Sequence, residues 1–305
     1  MDIAAAAERL APYGSRTPLV RALLLSRQLG CELWVKNETV SPIASFKWRG
    51  ALNDVLREPG TSVVTSSTGN HGQGVAWAAR MAGVVAHVFL PRGANPTKRA
   101  KIELLGATIH DAGHDLDEAK ELAMELARSE GMRFIDDGDS AAVIEGAGTV
   151  GLEIAQELQQ IDVVYVPMGS GSLASGVAMA VKERHPHARV VAVQAKGSPA
   201  MVESFHARRA IERPIDTIAD GLVCRVPAEL ALKALLRHVD DAVTVTDEEM
   251  LSAARTMIFG AHVLVEPSGA AGLAAALRDD VAGKRVVVIA TGANITPELF
   301  ARVHG

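Results

Sequence analysis

The sequence predicts an α/β fold built on parallel sheets. Short apolar runs rich in valine alternate with longer segments of helical periodicity. Several runs lead into turns of glycine, serine and asparagine that open the next helix. At 48% apolar residues the chain can fill a substantial core, and its 305 residues suffice for one large domain or two ordinary ones.

Taken in order, the strands are Glu32–Lys36, Ser62–Ser66, Val84–Leu90, Thr108–His110, Val163–Pro167, Val190–Gln194 and Arg285–Ala290, each a short apolar run with β-forming residues. Helical patterns fill the spaces between them: Phe46–Arg57, Gly72–Ala82, Pro96–Leu105, Leu116–Ser129, Gly151–Leu158, Leu173–Arg184, Asp247–Phe259 and Gly269–Leu277. Strand–helix alternation of this kind requires crossovers and hence parallel pairing. Residues 62–139 form a self-contained set of strand–helix units. They are expected to be a smaller lobe inserted in a larger one made from 1–61 and 140–305; one continuous sheet is the alternative.

Composition removes several classes. Net charge is −5 with no dense basic run, so no nucleic-acid partner is expected. Two cysteines, Cys31 and Cys224, give neither a disulfide framework nor a zinc spacing. No charged segment followed by a long apolar run begins the chain, and no window approaches a membrane span. A cytoplasmic protein with no membrane partner is the expectation.

Four constellations carry chemistry. Ser45-Phe46-Lys47-Trp48-Arg49-Gly50 places a lysine between two aromatic residues at a helix start, where positive charge is poorly placed. An amine in a low-polarity pocket can hold a carbonyl cofactor as an imine. Ser67-Thr68-Gly69-Asn70-His71-Gly72 follows a strand and opens a helix, and its N–H groups suit a carboxylate. Capping alone does not require that order of residues. Pro167-Met168-Gly169-Ser170-Gly171-Ser172-Leu173 is a glycine loop between strand and helix, suited to a phosphate. Its spacing continues to Gly176 as Gly-x-Gly-x-x-x-Gly, which fits a monophosphate better than a dinucleotide. Thr291-Gly292-Ala293-Asn294 ends the last strand, where a hydroxyl can face a ring nitrogen; taken alone, the segment reads better as an ordinary strand-terminal turn with an Asn cap. Glu266-Pro267-Ser268-Gly269 reads as a helix start and Asp220-Gly221 as a turn.

Taken together, these pieces resemble the fold-type II pyridoxal-phosphate enzymes, in the serine/threonine dehydratase and serine racemase branch. The likeness runs nearly end to end and in order, through Thr17-Pro18-Leu19, Ser45-Phe46-Lys47, Ser67–Gly72, Gly146-Ala147-Gly148-Thr149, Gly169–Leu173, Ala219-Asp220-Gly221, Glu266–Gly269 and Thr291–Asn294. It implies a tryptophan synthase β-like fold: two open, twisted, mostly parallel sheets flanked by helices, with the active site between the lobes. It implies pyridoxal 5'-phosphate as cofactor, bound through Lys47, with Lys47 also the base for the substrate Cα proton. Phe46 would pack beside the ring and Asn70 would bond its phenolic oxygen. Gly169, Ser170, Gly171, Ser172 and Leu173 would hold the phosphate, Gly221 and Glu266 would line the cofactor, and Thr291 would bond the pyridine nitrogen. A neutral partner there weakens the electron sink and suits β-elimination. Ser67, Thr68, Gly69 and His71 would surround the substrate carboxylate, with Thr68 where racemases place a second-face serine.

The implied reaction is dehydration and deamination of L-threonine, L-serine or a 3-hydroxy analogue to a 2-oxo acid and ammonia. A serine-type racemase and a β-replacement synthase of the cysteine-synthase type are the alternatives. A homodimer or homotetramer is implied by resemblance alone. Departures from the family pattern set further expectations. Thr68 lowers racemisation, because its methyl group crowds the site and restricts its rotamers. Gln194 stands where relatives place a metal-binding carboxylate, so no metal is expected. Ala147 interrupts a Gly-Gln-Gly-Thr turn beside Glu145, and Ser170 and Ser172 interrupt a run of glycines; these are expected to reshape the pocket. The sequence ends at Gly305, so no C-terminal regulatory domain, and no feedback inhibition by a branched-chain amino acid, is expected.

Overall fold

Valine-rich runs such as Val163–Pro167 and Val286–Ala290 are buried along their whole length, as strands covered by helices on both faces must be. The computed structural model describes residues 1–14, 16–92, 96–114 and 116–305, without the side chains of 96–98, 116 and 117. Its strands are β1 (Leu19–Arg21), β2 (Glu32–Asn37), β3 (Val63–Ser66), β4 (Ala86–Leu90), β5 (Thr108–Asp111), β6 (Arg133–Phe134), β7 (Val163–Pro167), β8 (Arg189–Ala195), β9 (Asp241–Val245) and β10 (Arg285–Ala290). They form a six-stranded sheet in the order β1-β2-β10-β7-β8-β9 and a four-stranded sheet in the order β5-β4-β3-β6. Every pairing is parallel except β1 with β2. The predicted α/β architecture with two mostly parallel sheets is what the chain adopts.

The helices are α1 (Ile3–Leu10), α2 (Leu23–Leu29), α3 (Lys47–Arg57), α4 (Asn70–Ala82), α5 (Pro96–Leu104), α6 (Leu116–Ser129), α7 (Ala141–Glu157), α8 (Ser172–Arg184), α9 (Ala200–Ala207), α10 (Glu229–His238), α11 (Asp247–Ala261), α12 (Pro267–Ala276) and α13 (Pro297–His304). Several of these lie outside the sequence expectation. α1 has an N-cap at Asp2 and buries Ile3, Ala6 and Leu10, a helical spacing muted by its alanines. β1 and β6 have three and two residues, too short to show a period. α7 starts ten residues before the expected Gly151, capped by Ser140 Oγ, which accepts from Val143 N–H at 3.2 Å. Gly146–Thr149 is therefore not a turn but mid-helix. Glycine is needed there for close packing: a Cβ at Gly146 would lie 2.4 Å from the Arg49 carbonyl oxygen.

The sheet order fixes where a ligand can sit. The chain lays β7, β8 and β9 outward, then returns β10 between β2 and β7. Adjacent strands whose connections leave in opposite directions open a crevice at their carboxyl ends. Loops after β7 and β10 flank that crevice, and the turn after β3 comes from the other sheet. All three carry residues singled out from the sequence.

Candidate active site

α3 begins at Lys47, with Phe46 already helical at φ −60° and no side-chain cap. Its start is stitched to the turn after β10: Phe46 N–H donates to the Thr291 carbonyl at 3.0 Å, and Ser45 bridges Gly292. Lys47 Nζ lies 5.0 Å from the centre of the Phe46 ring. A cation at a helix N-terminus opposes the dipole, and a carboxylate offsets it here. The Lys47 ammonium pairs with both oxygens of Asp137. Ser170 Oγ donates to Asp137 Oδ2 at 3.0 Å, and His71 Nδ1 lies 3.4 Å from Oδ1. His71 Nε2 meets the Ile135 carbonyl at 3.2 Å. Asp137 thus joins the lysine, α4 and the glycine loop.

Burial alone would raise the Asp137 carboxyl pKa, but Lys47 and then His71 hold it down to about 2. Because the folded value is depressed, the carboxylate's stabilisation is full above its ordinary value of 3.8 and is lost as pH falls through about 2. We predict that Asp137→Asn removes on the order of 2 kcal/mol of acid-sensitive stability from the cofactor-free protein. Superimposable acid-unfolding curves of the two proteins, followed by circular dichroism, would refute this.

The glycine loop runs from the end of β7 into α8, whose N-cap Gly171 has φ 97° and offers no side-chain cap. The first N–H groups of the helix are left to an incoming anion. Neighbours crowd the loop so that only glycine fits: a Cβ at Gly169 would lie 2.8 Å from the Gly221 carbonyl oxygen, and one at Gly171 2.8 Å from Met201 Cε. Ser172 and Leu173 are buried behind it. Gly221 N–H donates to Ser268 Oγ at 3.1 Å, which brings the turn at 219–221 and the start of α12 against the same loop.

Opposite lies the start of α4. Gly69 is its N-cap, and Gly69 N–H donates to Ser67 Oγ at 3.2 Å. Ser67, Thr68, Gly69 and Asn70 are half-buried. Asn70 Nδ2 donates to Glu266 Oε1 at 2.8 Å, and Asn70 Oδ1 accepts from Asn294 Nδ2 at 2.7 Å. Thr291 is buried next to this chain. The structure therefore gathers Phe46, Lys47, Asn70, His71, Ser170, Gly221, Glu266 and Thr291 into linked neighbours beyond the carboxyl ends of β3, β7 and β10. A bare glycine loop at a helix N-terminus fits a phosphate, and a lysine amine beside Phe46 fits an aldehyde. Those are the two ends that pyridoxal phosphate presents, so the residues present fit that group.

Two of the departures have structural explanations. Gln194 Oε1 accepts from Met201 and Val202 N–H, both at 3.1 Å, and so caps α9. Among the described residues there is no group of three or more His, Cys, Asp or Glu able to hold a metal. Glu145, expected near the pocket, instead accepts from Arg57 Nη1 at 2.9 Å and from Asp2 N–H at 3.0 Å. Ala147 packs in the core under Phe46. Sequence reasoning missed Asp137, although the run Asp136-Asp137-Gly138-Asp139 after an apolar segment marks it. It also took Asn294 for a cap only, and nothing in the sequence singles out Lys101, which bonds Asn294.

Residues 10–292 match the family model of the pyridoxal-phosphate dependent enzymes. The chain is 37% identical to an L-threonine ammonia-lyase of Thermotoga maritima over 310 aligned positions, covering 99% of this chain and 77% of that protein. Among solved structures, maize serine racemase is similar with a TM-score of 0.93 and 32% identity, covering 99% of this chain and 95% of that one. The processed form of threonine deaminase isoform 2 from Solanum lycopersicum is similar with a TM-score of 0.90 and 30% identity, covering 95% of this chain and 87% of that one. With a fold, a gathered site and relatives that agree over nearly its whole length, the chain belongs to the pyridoxal-phosphate dependent enzymes, in the serine/threonine dehydratase branch of fold type II.

Proposed function

We propose that the protein is an ammonia-lyase that converts L-threonine, L-serine or a 3-hydroxy analogue to a 2-oxo acid and ammonia. The observation that carries this reading is Lys47, a cation with its side chain 12% exposed, set at a helix start against Asp137 and beside the glycine loop. The relatives named above as threonine ammonia-lyase and threonine deaminase support the same chemistry.

In this reading Lys47, Phe46, Asn70, Gly221, Glu266, Thr291 and the loop Gly169–Leu173 hold the cofactor. Ser67, Thr68, Gly69 and His71 bind the substrate carboxylate. Bound pyridoxal phosphate supplies the electron sink that acidifies the substrate Cα–H bond. The N–H groups of the turn at 67–69 fix the carboxylate and so orient that bond, an effect of position rather than of charge transfer. Lys47 Nζ, as the neutral amine it is once it has given up its proton, takes the Cα proton. That proton then passes from Lys47 Nζ to the β-hydroxyl, so the Cβ–O bond breaks with loss of water, and a water is taken up again when ammonia is released. Asp137 accepts a hydrogen bond from the Lys47 ammonium while it holds that proton.

The same reading makes residues 62–139 a smaller lobe, since every strand of the four-stranded sheet lies between Val63 and Phe134. Among the described residues no helix is long and apolar enough to cross a membrane. We place the enzyme in the cytoplasm as a homodimer or tetramer; exposed Leu23, Leu24 and Phe259 supply apolar surface for assembly. A racemase is the second reading, favoured by the likeness to maize serine racemase, with Thr68 in the place of a second-face serine counting against it. A panel of hydroxy amino acids, assayed for 2-oxo acid and by chiral chromatography, separates the two. The lyase reading expects oxo acid to form faster than any D-amino acid, and the reverse order refutes it.

A further inference from the structure

We infer that Lys101 and Asn294 are positioning residues that fix which way the Asn70 amide faces, and thereby what it offers to the cofactor. Lys101 Nζ donates to Asn294 Oδ1 at 2.8 Å. Asn294 Nδ2 donates to the Ile43 carbonyl at 2.9 Å and to Asn70 Oδ1 at 2.7 Å. Asn70 Nδ2 then donates to Glu266 Oε1 at 2.8 Å.

The direction of this chain is forced by its members. An ammonium can only donate, so the Asn294 atom it meets is oxygen. A backbone carbonyl can only accept, so the other Asn294 atom is nitrogen. That nitrogen donates to Asn70, whose contacting atom is therefore oxygen. The remaining Asn70 atom is the NH2 group, and the Glu266 oxygen takes one of its two hydrogens. One N–H of Asn70 is left over. Turned around, Asn70 would present its carbonyl and repel any oxygen-bearing edge of a ligand. Gly292 lets the partners approach: a Cβ there would lie 2.6 Å from Glu266 Oε1 and 3.3 Å from Asn70 Nδ2.

The chain also spans the two sheets. Lys101 sits on α5, between β4 and β5 of the four-stranded sheet, and Asn294 follows β10 of the six-stranded one. The orienting bond exists only while α5 rests against the turn after β10, so cofactor hold and the seating of α5 are coupled. This inference rests on the reading of Asn70 as a cofactor-binding residue.

Three variants test it with pyridoxal phosphate itself: Asn294→Asp removes the donor to Asn70, Lys101→Met removes the ammonium, and Lys101→Arg restores a cation. Titration with pyridoxal phosphate gives Kd, the loaded protein gives its visible absorption maximum, and the cofactor-free protein gives Tm. Asn294→Asp should raise Kd about 10-fold and move the maximum, Lys101→Met should do both to a smaller degree, and Lys101→Arg should recover the wild-type values. Cofactor-free Tm should stay near wild type for the Lys101 variants. If Asn294→Asp does not fold, half-buried Lys101 decides alone. Unchanged Kd and maximum in Lys101→Met, or a change in Tm only, overturns the inference while Lys47 retains its role. A wild-type protein that takes up no pyridoxal phosphate overturns the underlying reading and this one with it.

Discussion

Lys47→Ala is expected to yield a folded, colourless protein with activity reduced at least ~10³-fold. Two losses combine. The amine is the group assigned to bond the cofactor, so the visible absorption band should vanish. It is also the assigned base at Cα, so cofactor bound without a bond would still lack a proton acceptor. The fold should survive because removing a cation from a helix N-terminus relieves the dipole, although Asp137 then loses its closest partner. Lys47→Arg separates size from chemistry, since a guanidinium keeps the charge near Asp137 but is a poor nucleophile. A yellow, active Lys47→Ala protein would remove the basis of the proposed function.

Arg49→Leu is expected to have the largest effect on stability. Arg49 lies two residues after Lys47 on α3, 2% exposed, in a network with almost no solvent. Its Nε and Nη2 donate to the two Glu38 oxygens at 2.9 and 3.0 Å, and Nη1 reaches Glu153 Oε1 at 2.6 Å and Thr149 Oγ1 at 3.0 Å. Lys36, fully buried, pairs with Glu153 Oε2 at 2.6 Å. Burial works against every one of these charges. Glu38 and Glu153 nonetheless hold the guanidinium pKa above its usual range, and Arg49 and then Lys36 hold the Glu153 carboxyl below its own. Replacing Arg49 by leucine leaves Glu38 buried without its cation. A buried pair broken on one side costs about 3–5 kcal/mol, which corresponds to a Tm lower by roughly 10 °C. A loss below about 1 kcal/mol in denaturant unfolding would show that the network contributes little. The depressed Glu153 value also sets a direction with pH: its stabilisation is complete above 4.5 and fades as pH falls through the lower folded value. Arg49→Leu should therefore flatten the acid limb of the stability profile.

Legibility in the sequence followed the range of the interactions. The strands β3, β7 and β10 were readable because burial on both faces demands continuous apolar runs, and Val163–Pro167 falls on the expected residues. The loops after β3, β7 and β10 were readable because glycine and hydroxyl residues there answer to local backbone needs. α9 and α10 lie between β8 and β9, and β9, Asp241–Val245, with only Ala242 and Val245 buried, is too polar to mark where the helical stretch ends. Asp137 was hidden for a different reason. Its role depends on Lys47, ninety positions away, and on Ser170, thirty-three positions away. Lys101 is hidden further, since its bond to Asn294 crosses 193 positions. Local pattern tells where a turn must be; it does not tell which distant side chain completes it.

The stitch between Phe46 and Thr291, with β2 paired to β10 along Glu32–Asn37, has a consequence for the order of events in synthesis. The four strands of the smaller sheet emerge together and can pair as soon as residue 134 is available. The larger sheet has a gap beside β2 until β10 leaves the ribosome, long after the smaller sheet is complete. Throughout that interval the edge of β2 that will receive β10 is unpaired, which is the kind of strand edge that invites association. The nascent chain thus carries Lys47, the lysine proposed to hold the cofactor, long before it owns the strand that seats it.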